Sequence, residues 1–498
     1  MELPRPTETA PTGSRKRPRC LLFFIVLVLL SVTLGPLRRT SSAVGRACWL
    51  VGVWAPAGVI RTPKAVVTAL EASGPVFIKL AQWLSTRRDI LSPALCDAMG
   101  VLHENVAVSA ISRRDLKRVA IAVPGLRIGH SLGGGCIAQV YAGEITDSKG
   151  RSHEVAVKVR REHVVHLLET DLLLLRWVAR AVDWLSPDLR WLALESAVDN
   201  FGLYMIQQVD LRIEANHTNH FAVNLRDAAV RVPNVIAATE AVVVTEVAPG
   251  VSLSEFIRQN HSAEIRKEVF EQLTDVMARM ILRDNFIHGD MHPGNVFVAL
   301  QPRWLGGGQA NKNEHRAFKV RLTLIDTGIA IEMSESLKKF ARNSMLAAFN
   351  MDPLALGGSL VTLHEEEGLC DHASGLEELE RKVGHLLLAG CFMVEEDIWG
   401  EVFPTWDDYN GTRVSEYFTM MIGYLSEHKV RVSPLLWSVM TAFALIEGSV
   451  QELGYGVNVL RSAMPYIFGP KDLVSRAISS VRCAISERRH RLSYTVEP

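Results

Sequence analysis

The chain has 498 residues, 54 Lys and Arg balanced by 54 Asp and Glu, and 48% hydrophobic residues. That length permits one large core or two to three ordinary domains, and the neutrality excludes the sustained basic face of a nucleic-acid binder. The 7 cysteines (Cys20, Cys48, Cys96, Cys136, Cys370, Cys391 and Cys483) are scattered, odd in number and never spaced C-x-x-C, which excludes a disulfide framework or a zinc site as the basis of the fold.

The first 64 residues differ in kind from the rest. Ten basic residues stand there against two acidic ones, Glu2 and Glu8, and such an asymmetry reads as a targeting signal. Its centre, Leu21 to Leu34, is apolar except for Ser31 and Thr33 and lies between the basic cluster Arg15 to Arg19 and Arg38-Arg39. It suits a signal h-region or a short anchor, since a helical span needs roughly 20 residues. A second apolar stretch, Ala47 to Ile60, carries Trp49 and Trp54, of the kind found at membrane interfaces. A cleaved secretory signal and a leader directed to mitochondria both fit an Arg-rich, acid-poor start. Composition predicts membrane targeting without naming the membrane.

From Ala65 to about Arg88 the spacing predicts an amphipathic helix broken at Gly74-Pro75, followed by a helix over Pro93 to Leu102. Alternating runs at Leu126 to Ser131, Ile137 to Ile145 and Glu154 to Arg160, with turn residues at Asp147 to Gly150, predict a three-stranded antiparallel meander. A leucine-rich helix is expected over His163 to Trp184 and a single further helix over Leu192 to about Leu225. Short β-branched runs follow at Val232 to Ile236 and Ala241 to Glu246. Beyond Ser252 the pattern is mainly helical, except for strands at Asn295 to Leu300 and Val320 to Ile325, joined by the Gly- and Asn-rich loop at 306–313. Helices are expected again around Leu376 to Leu387 and within Tyr417 to Leu453.

Phosphoryl transfer requires a backbone cradle for phosphates, a cation to orient them, oxygen ligands for Mg²⁺, and a carboxylate near the attacking group. The chain presents candidates for each in order. Gly133, Gly134 and Gly135, with Cys136 and Ile137 following, form a turn whose missing side chains let N–H groups approach a polyphosphate. Lys158 stands on an alternating strand, Val155-Ala156-Val157-Lys158, that projects it from an apolar sheet, so it needs a partner. Glu214, on a helix in Asp210 to Asn216, supplies the compensating charge. His288-Gly289-Asp290-Met291-His292-Pro293-Gly294-Asn295 has the D-x-x-x-x-N spacing of a kinase catalytic loop, with Asp290 as catalytic carboxylate and Asn295 as metal ligand. Asp326-Thr327-Gly328 then places a metal-holding carboxylate at a strand end. The rival for the first loop is an H-x-D-x-H metal site of a hydrolase, built from His288, Asp290 and His292. It leaves the Pro-Gly-Asn continuation and the Val-Ala-Val-Lys strand without a purpose, and His292 is more simply a brace for the loop.

These residues resemble the UbiB or aarF-domain-containing (ADCK) family of atypical kinases, over roughly Ala65 to Leu453. Gly74 to Gln82 looks like the family's K-x-G-Q extension motif, with Lys79 and Gln82 matching. Gln139-Val140-Tyr141 looks like its Q-V-H, and His288 to Asn295 is nearly its H-x-D-x-H-P-G-N loop. The resemblance implies an α+β, two-lobed protein-kinase-like fold with an N-terminal helical extension and helical insertions in the small lobe. The organisation expected is 1–64 as targeting or membrane-anchor segment, 65–124 as extension, 125–248 as N-lobe with inserted helices, and 249–498 as C-lobe and helical tail. It implies ATP and Mg²⁺ as cofactors: Lys158 orients phosphates with Glu214 behind it, Asn295 and Asp326 hold the metal, and Thr245, Glu246 and Val247 line the adenine.

It also implies that the Lys79 and Gln82 segment covers the place where a protein kinase admits a peptide. Small-molecule or lipid phosphorylation, or ATP hydrolysis, then becomes the expected activity. The implied setting is coenzyme Q (ubiquinone) or lipid metabolism at a mitochondrial membrane, with lipid or quinone precursors and coenzyme Q biosynthesis proteins as partners. Four positions depart from the family pattern. Ala81 replaces a glycine, Gln208 replaces the first carboxylate of an E-x-D pair ending at Asp210, Gly133 to Gly135 replace an alanine-rich loop, and Thr327 replaces the phenylalanine of D-F-G. The alternative they support is a catalytically inactive, membrane-bound pseudokinase scaffold.

Overall fold

A computed structural model describes residues 43–60, 62–85, 93–100, 102, 119, 121, 123–146, 150–186, 194–302, 318–371, 373–392, 414–455, 463 and 465–467. The apolar run 21–34, the turn residues 147–149 and the loop at 306–313 lie outside them. The chain divides into two compact units.

The first unit is helical: α1 (Ala43–Ile60), α2 (Pro63–Ser73), α3 (Pro75–Ser85), α4 (Pro93–Gly100) and, later in the chain, α5 (Glu162–Leu185) and the start of α6 (Leu194–Val209). Thr62 caps α2 by accepting from Ala65 N, and Gly74, at φ 101°, turns the chain before Pro75 opens α3. The expected break at Gly74-Pro75 is therefore a capped end followed by a proline start. Leu50, Leu70, Phe77, Ala81, Met99, Leu102 and Leu174 make the core. Trp49 and Trp54, the tryptophans of the second apolar stretch, are partly buried against this core. Trp54 Nε1 donates to Ser73 Oγ at 2.9 Å, and the Arg46 guanidinium lies 4.9 Å from the centre of the Trp49 ring. Arg46 in turn pairs with Asp171 of α5 at 2.6 and 2.8 Å and donates to Ser73 O. Among the described residues no helix is long and apolar enough to cross a membrane.

The second unit opens with β1 (Leu126–Gly134), β2 (Ala138–Thr146) and β3 (Ser152–Arg160). It continues after α7 (Leu211–Asn224) with β4 (Val230–Arg231), β5 (Val235–Ala238), β6 (Val242–Glu246) and β7 (Val251–Ser252). Five of these strands form an antiparallel sheet in the order β1-β2-β3-β6-β5. Side chains alternate between faces along a strand. Val155, Val157, Val159, Val242 and Val244 make one buried face, closed by Val119 and Val123. Ala156 and Lys158 stand on the other, opposite Thr245 and Val243.

The segment expected as a single helix from Leu192 to Leu225 is two helices, α6 and α7. Asp210 has extended backbone and its carboxylate caps α7 through Arg212 N, which ends one helix and starts the next. The remainder comprises α8 (Leu253–Arg258), α9 (Ala263–Arg279), β8 (Ile287–His288), β9 (Val296–Pro302), β10 (Phe318–Leu324), β11 (Ala330–Ile331), α10 (Glu335–Phe349), α11 (Pro353–Glu366), α12 (Leu376–Phe392), α13 (Val414–Glu427) and α14 (Pro434–Glu452). A four-stranded sheet runs β4-β10-β9-β7, and β8 pairs with β11. Both sit on a large core that includes Phe221, Phe256, Leu273, Met280, Ile287, Leu322 and Leu360. Beside this core an apolar cavity of about 190 Å³ opens among Met277, Phe340, Tyr417 and Phe443. None of Lys158, Glu214, Asp290, Asn295 or Asp326 lines it, so it is separate from the cluster described next.

Candidate functional site

Lys158 reaches across 56 and 168 positions of sequence to two carboxylates. Its Nζ lies 2.8 Å from Glu214 Oε2 and 2.6 Å from Asp326 Oδ1. The Glu214 side chain is 8% exposed and that of Asp326 is 43% exposed, so one carboxylate is a buried counter-charge and the other opens outward. Burial works against the lysine's charge. The carboxylates of Asp326 and Glu214 outweigh it and hold the ammonium well above the usual lysine range. Burial likewise pushes the Glu214 carboxyl upward, with Lys158 opposing.

Local structure delivers each partner. Glu214 sits in the first turn of α7, which packs onto the Lys158 face of the sheet through Leu211, Ala215 and Val243. Arg160, at the end of β3, donates to Val209 O at 2.7 Å and to Glu240 O at 3.0 Å, which ties the α6–α7 junction to the strand that carries Lys158. Asp210, the second member of the E-x-D-like pair, is occupied as a helix cap and paired with Arg212.

The two loops bearing Asp290 and Asp326 are stitched together by backbone. β8 pairs with β11, Gly289 N donates to Ile329 O at 2.9 Å, and Ile325 N donates to Asn295 O at 2.9 Å. A Cβ on Gly289 would meet Ile329 Cγ2 at 2.5 Å, so this approach requires a glycine. The chain enters the loop from a left-handed turn at Asn285, whose side chain bonds both Met333 N and Met333 O. His288 is buried, with Nε2 3.0 Å from Ile325 O and Nδ1 accepting from Asp290 N. His292 Nδ1 accepts from Gly294 N at 3.1 Å. Both histidines thus brace backbone, and no cluster of three or more His, Cys, Asp or Glu fit for a metal occurs among the described residues. Of the three residues of the H-x-D-x-H hydrolase reading, His288 has both ring nitrogens engaged with backbone and His292 has one.

Two side-chain oxygens here could hold a Mg²⁺ ion. Asn295 Nδ2 donates to Asp290 O at 3.0 Å, which orients the amide and leaves its carbonyl oxygen to face a cation. The Asp326 carboxylate could supply the second oxygen. Mg²⁺ is commonly held by one or two protein oxygens plus phosphates and water, so a two-ligand set suits it when a polyphosphate completes the shell.

The glycine turn is tighter than a strand ending at Ser131 would make it. Gly133 and Gly134 belong to β1, opposite Val140 and Gln139, and Gly135 N is spent on Ala138 O at 2.8 Å. Nothing lies within 4 Å of a Cβ built on Gly133 or Gly135, so both positions face open space. Cys136 and Ile137 are buried beneath the turn. Gln139 and the buried Arg161 hold it: Arg161 bonds Gln139 Oε1 and Gly135 O, and Gln139 donates to Ser131 Oγ. Thr245 lies half-buried on the Lys158 face, opposite Ala156. Glu246 bonds the Asn234 side chain and backbone, and Val247 is exposed. Lys79 and Gln82 lie on α3 in the helical unit, where Gln82 donates to Leu102 O at 2.7 Å and Ala81 is fully buried.

The sequence expectations did not include Arg160 and Arg161, Thr218, or His217. The first pair was marked by two arginines directly after the Val-Ala-Val-Lys-Val strand; the other two carry no sequence signal.

The ABC1 atypical kinase-like domain matches residues 129–357. The mitochondrial ABC1 family protein YPL109C of Saccharomyces cerevisiae is 27% identical over 440 residues, covering 80% of this chain and 66% of its own length. The mitochondrial ABC1 family protein C21C3.03 of Schizosaccharomyces pombe is 23% identical, covering 81% of this chain and 64% of its own. A protein of Vibrio atlanticus named probable protein kinase UbiB is 28% identical, over 63% of this chain and 55% of its own. This chain therefore spans less than two thirds of these relatives. The solved complex of Rv3197 with erythromycin from Mycobacterium tuberculosis aligns over 78% of this chain and 91% of its own, at TM-score 0.45 and 20% identity.

Proposed function

We propose that this chain, whose residues 129–357 match the ABC1 atypical kinase-like domain and which is similar to ABC1 and UbiB family proteins, binds Mg²⁺·ATP and transfers or hydrolyses the terminal phosphate. The acceptor is a small molecule, a lipid or water, in mitochondrial coenzyme Q or lipid metabolism. The observation that carries the reading is the contact of Lys158 with both Glu214 and Asp326, at 2.8 and 2.6 Å, on a sheet face otherwise lined by small and apolar side chains. The fungal relatives named as mitochondrial support the compartment.

In this reading Lys158, held charged and oriented by Glu214, binds the α and β phosphates. Asn295 and Asp326 hold the cation, and Asp290 positions the attacking hydroxyl or water. Bound Mg²⁺ supplies charge neutralisation on the phosphates. His288 and the Asn295 amide hold the backbone N–H and C=O of Asp290, the residue that carries the carboxylate. Asp290→Asn tests the assignment. Phosphate release should fall by about 10²-fold or more, while Mg²⁺·ATP still raises the melting temperature as it does in the parent. Equal turnover in variant and parent refutes the role of Asp290, and absence of any nucleotide-dependent shift in the parent refutes the site.

A further inference from the structure

The one residue by which Asp326-Thr327-Gly328 departs from D-F-G is among the most enclosed in the chain: Thr327 is 1% exposed. Its hydroxyl, the hydroxyl of Thr218 and the carbonyl of Glu214 form a triangle. Thr218 Oγ1 donates to Glu214 O at 2.8 Å, and Thr327 Oγ1, 2.7 Å from Thr218 Oγ1 and 3.2 Å from Glu214 O, donates its one proton to either of these oxygens. On its backbone side, Thr327 O lies 3.0 Å from His217 Nδ1, which donates to it. Thr327 is thus tied to α7 twice, by side chain and by carbonyl, over about one turn of helix at 214–218. A phenylalanine would keep the carbonyl bond to His217 and lose the hydroxyl contacts.

The two things so joined are the two that Lys158 grips. The helix carries Glu214. The residue before Thr327 is Asp326, which has φ 54°, a left-handed conformation that a non-glycine residue keeps only where its surroundings hold it. A Cβ on Gly328 would come within 3.4 Å of Asp326 Oδ1 and 3.7 Å of Glu214 Oε2, so the tied segment closes directly on both carboxylates.

We propose that Thr327 and Thr218 form a hydroxyl latch that makes α7 and the Asp326 loop one body, so that the Lys158–Glu214 pair and the orientation of the metal-binding aspartate are set together. They are positioning residues, and the nucleotide part of the proposal rests on reading the site as one for Mg²⁺·ATP.

The test uses the full chain with Thr327→Val, Thr327→Ser, Thr218→Val and the Thr218→Val/Thr327→Val double variant. Titration calorimetry with Mg²⁺·ATP and with adenosine is combined with hydrogen exchange of residues 211–224 and 326–331. Thr327→Val should weaken Mg²⁺·ATP about tenfold, the equivalent of one buried hydrogen bond, and leave adenosine within about twofold. Thr327→Ser should restore both, and the double variant should be no worse than Thr327→Val because the two side chains act as a unit. Exchange should rise in both segments together. Parent-like binding and exchange in Thr327→Val would overturn the latch, as would faster exchange confined to 326–331. If the parent itself takes up no Mg²⁺·ATP, the nucleotide reading falls, and the joint exchange response of the two segments decides the latch by itself.

Discussion

Lys158 remains charged with only 18% of its side chain exposed because carboxylates lie 2.8 and 2.6 Å from it. His364 meets burial in the opposite way, by staying neutral. It is 0% exposed, its Nδ1 donates to Leu360 O at 2.7 Å, and its Nε2 has no partner among the described residues. Burial lowers its pKa from 6.5 to about 4, with the bond to Leu360 O opposing. The unfolded chain therefore binds a proton here at a pH where the folded chain does not. The stability this residue contributes is whole above pH 6.5 and is lost as pH falls toward 4, a change of about 3 kcal/mol. Chemical denaturation of the parent and of His364→Leu across that window should show profiles diverging by this amount, with the variant the less acid-sensitive. Parallel profiles would show that His364 titrates alike in both states.

At the scale of elements, α1 shows what composition hides. Arg46 adds to the positive balance of the first 64 residues, yet it is 1% exposed and bonds twice to Asp171, itself 0% exposed. Losing one partner leaves the other buried without a counter-charge, at a cost of about 3–5 kcal/mol. Arg46→Met should lower the denaturation midpoint accordingly. An unchanged midpoint in Arg46→Met would place α1 outside the folded unit. The sequence made the meander, the Gly74-Pro75 break and the loops of Asp290 and Asp326 legible because local chemistry dictates them: alternation, a left-handed glycine before proline, and turn residues between short strands. It hid the α6–α7 break, because Asp210 reads as one more polar residue in a helical pattern until its carboxylate is seen to cap Arg212 N. It hid Thr218 and Thr327 as a pair because a contact across 109 positions leaves no periodic trace.

On the scale of the whole molecule, the second unit gathers its chemistry from four separate stretches: β3, the start of α7, the loop after β8 and the turn after β10. The sheet supplies Lys158, the helix its buried counter-charge, and the paired β8 and β11 hold the two loops in register. Each stretch is ordinary alone, and only their convergence distinguishes a phosphate site from a structural ion-pair cluster. A crystal structure of the full chain with Mg²⁺ and a non-hydrolysable ATP analogue measures that distinction directly. The triphosphate is predicted within hydrogen-bonding distance of Lys158 Nζ, with the cation between Asn295 and Asp326. An analogue bound elsewhere, or none at saturating concentration, would contradict the assignment.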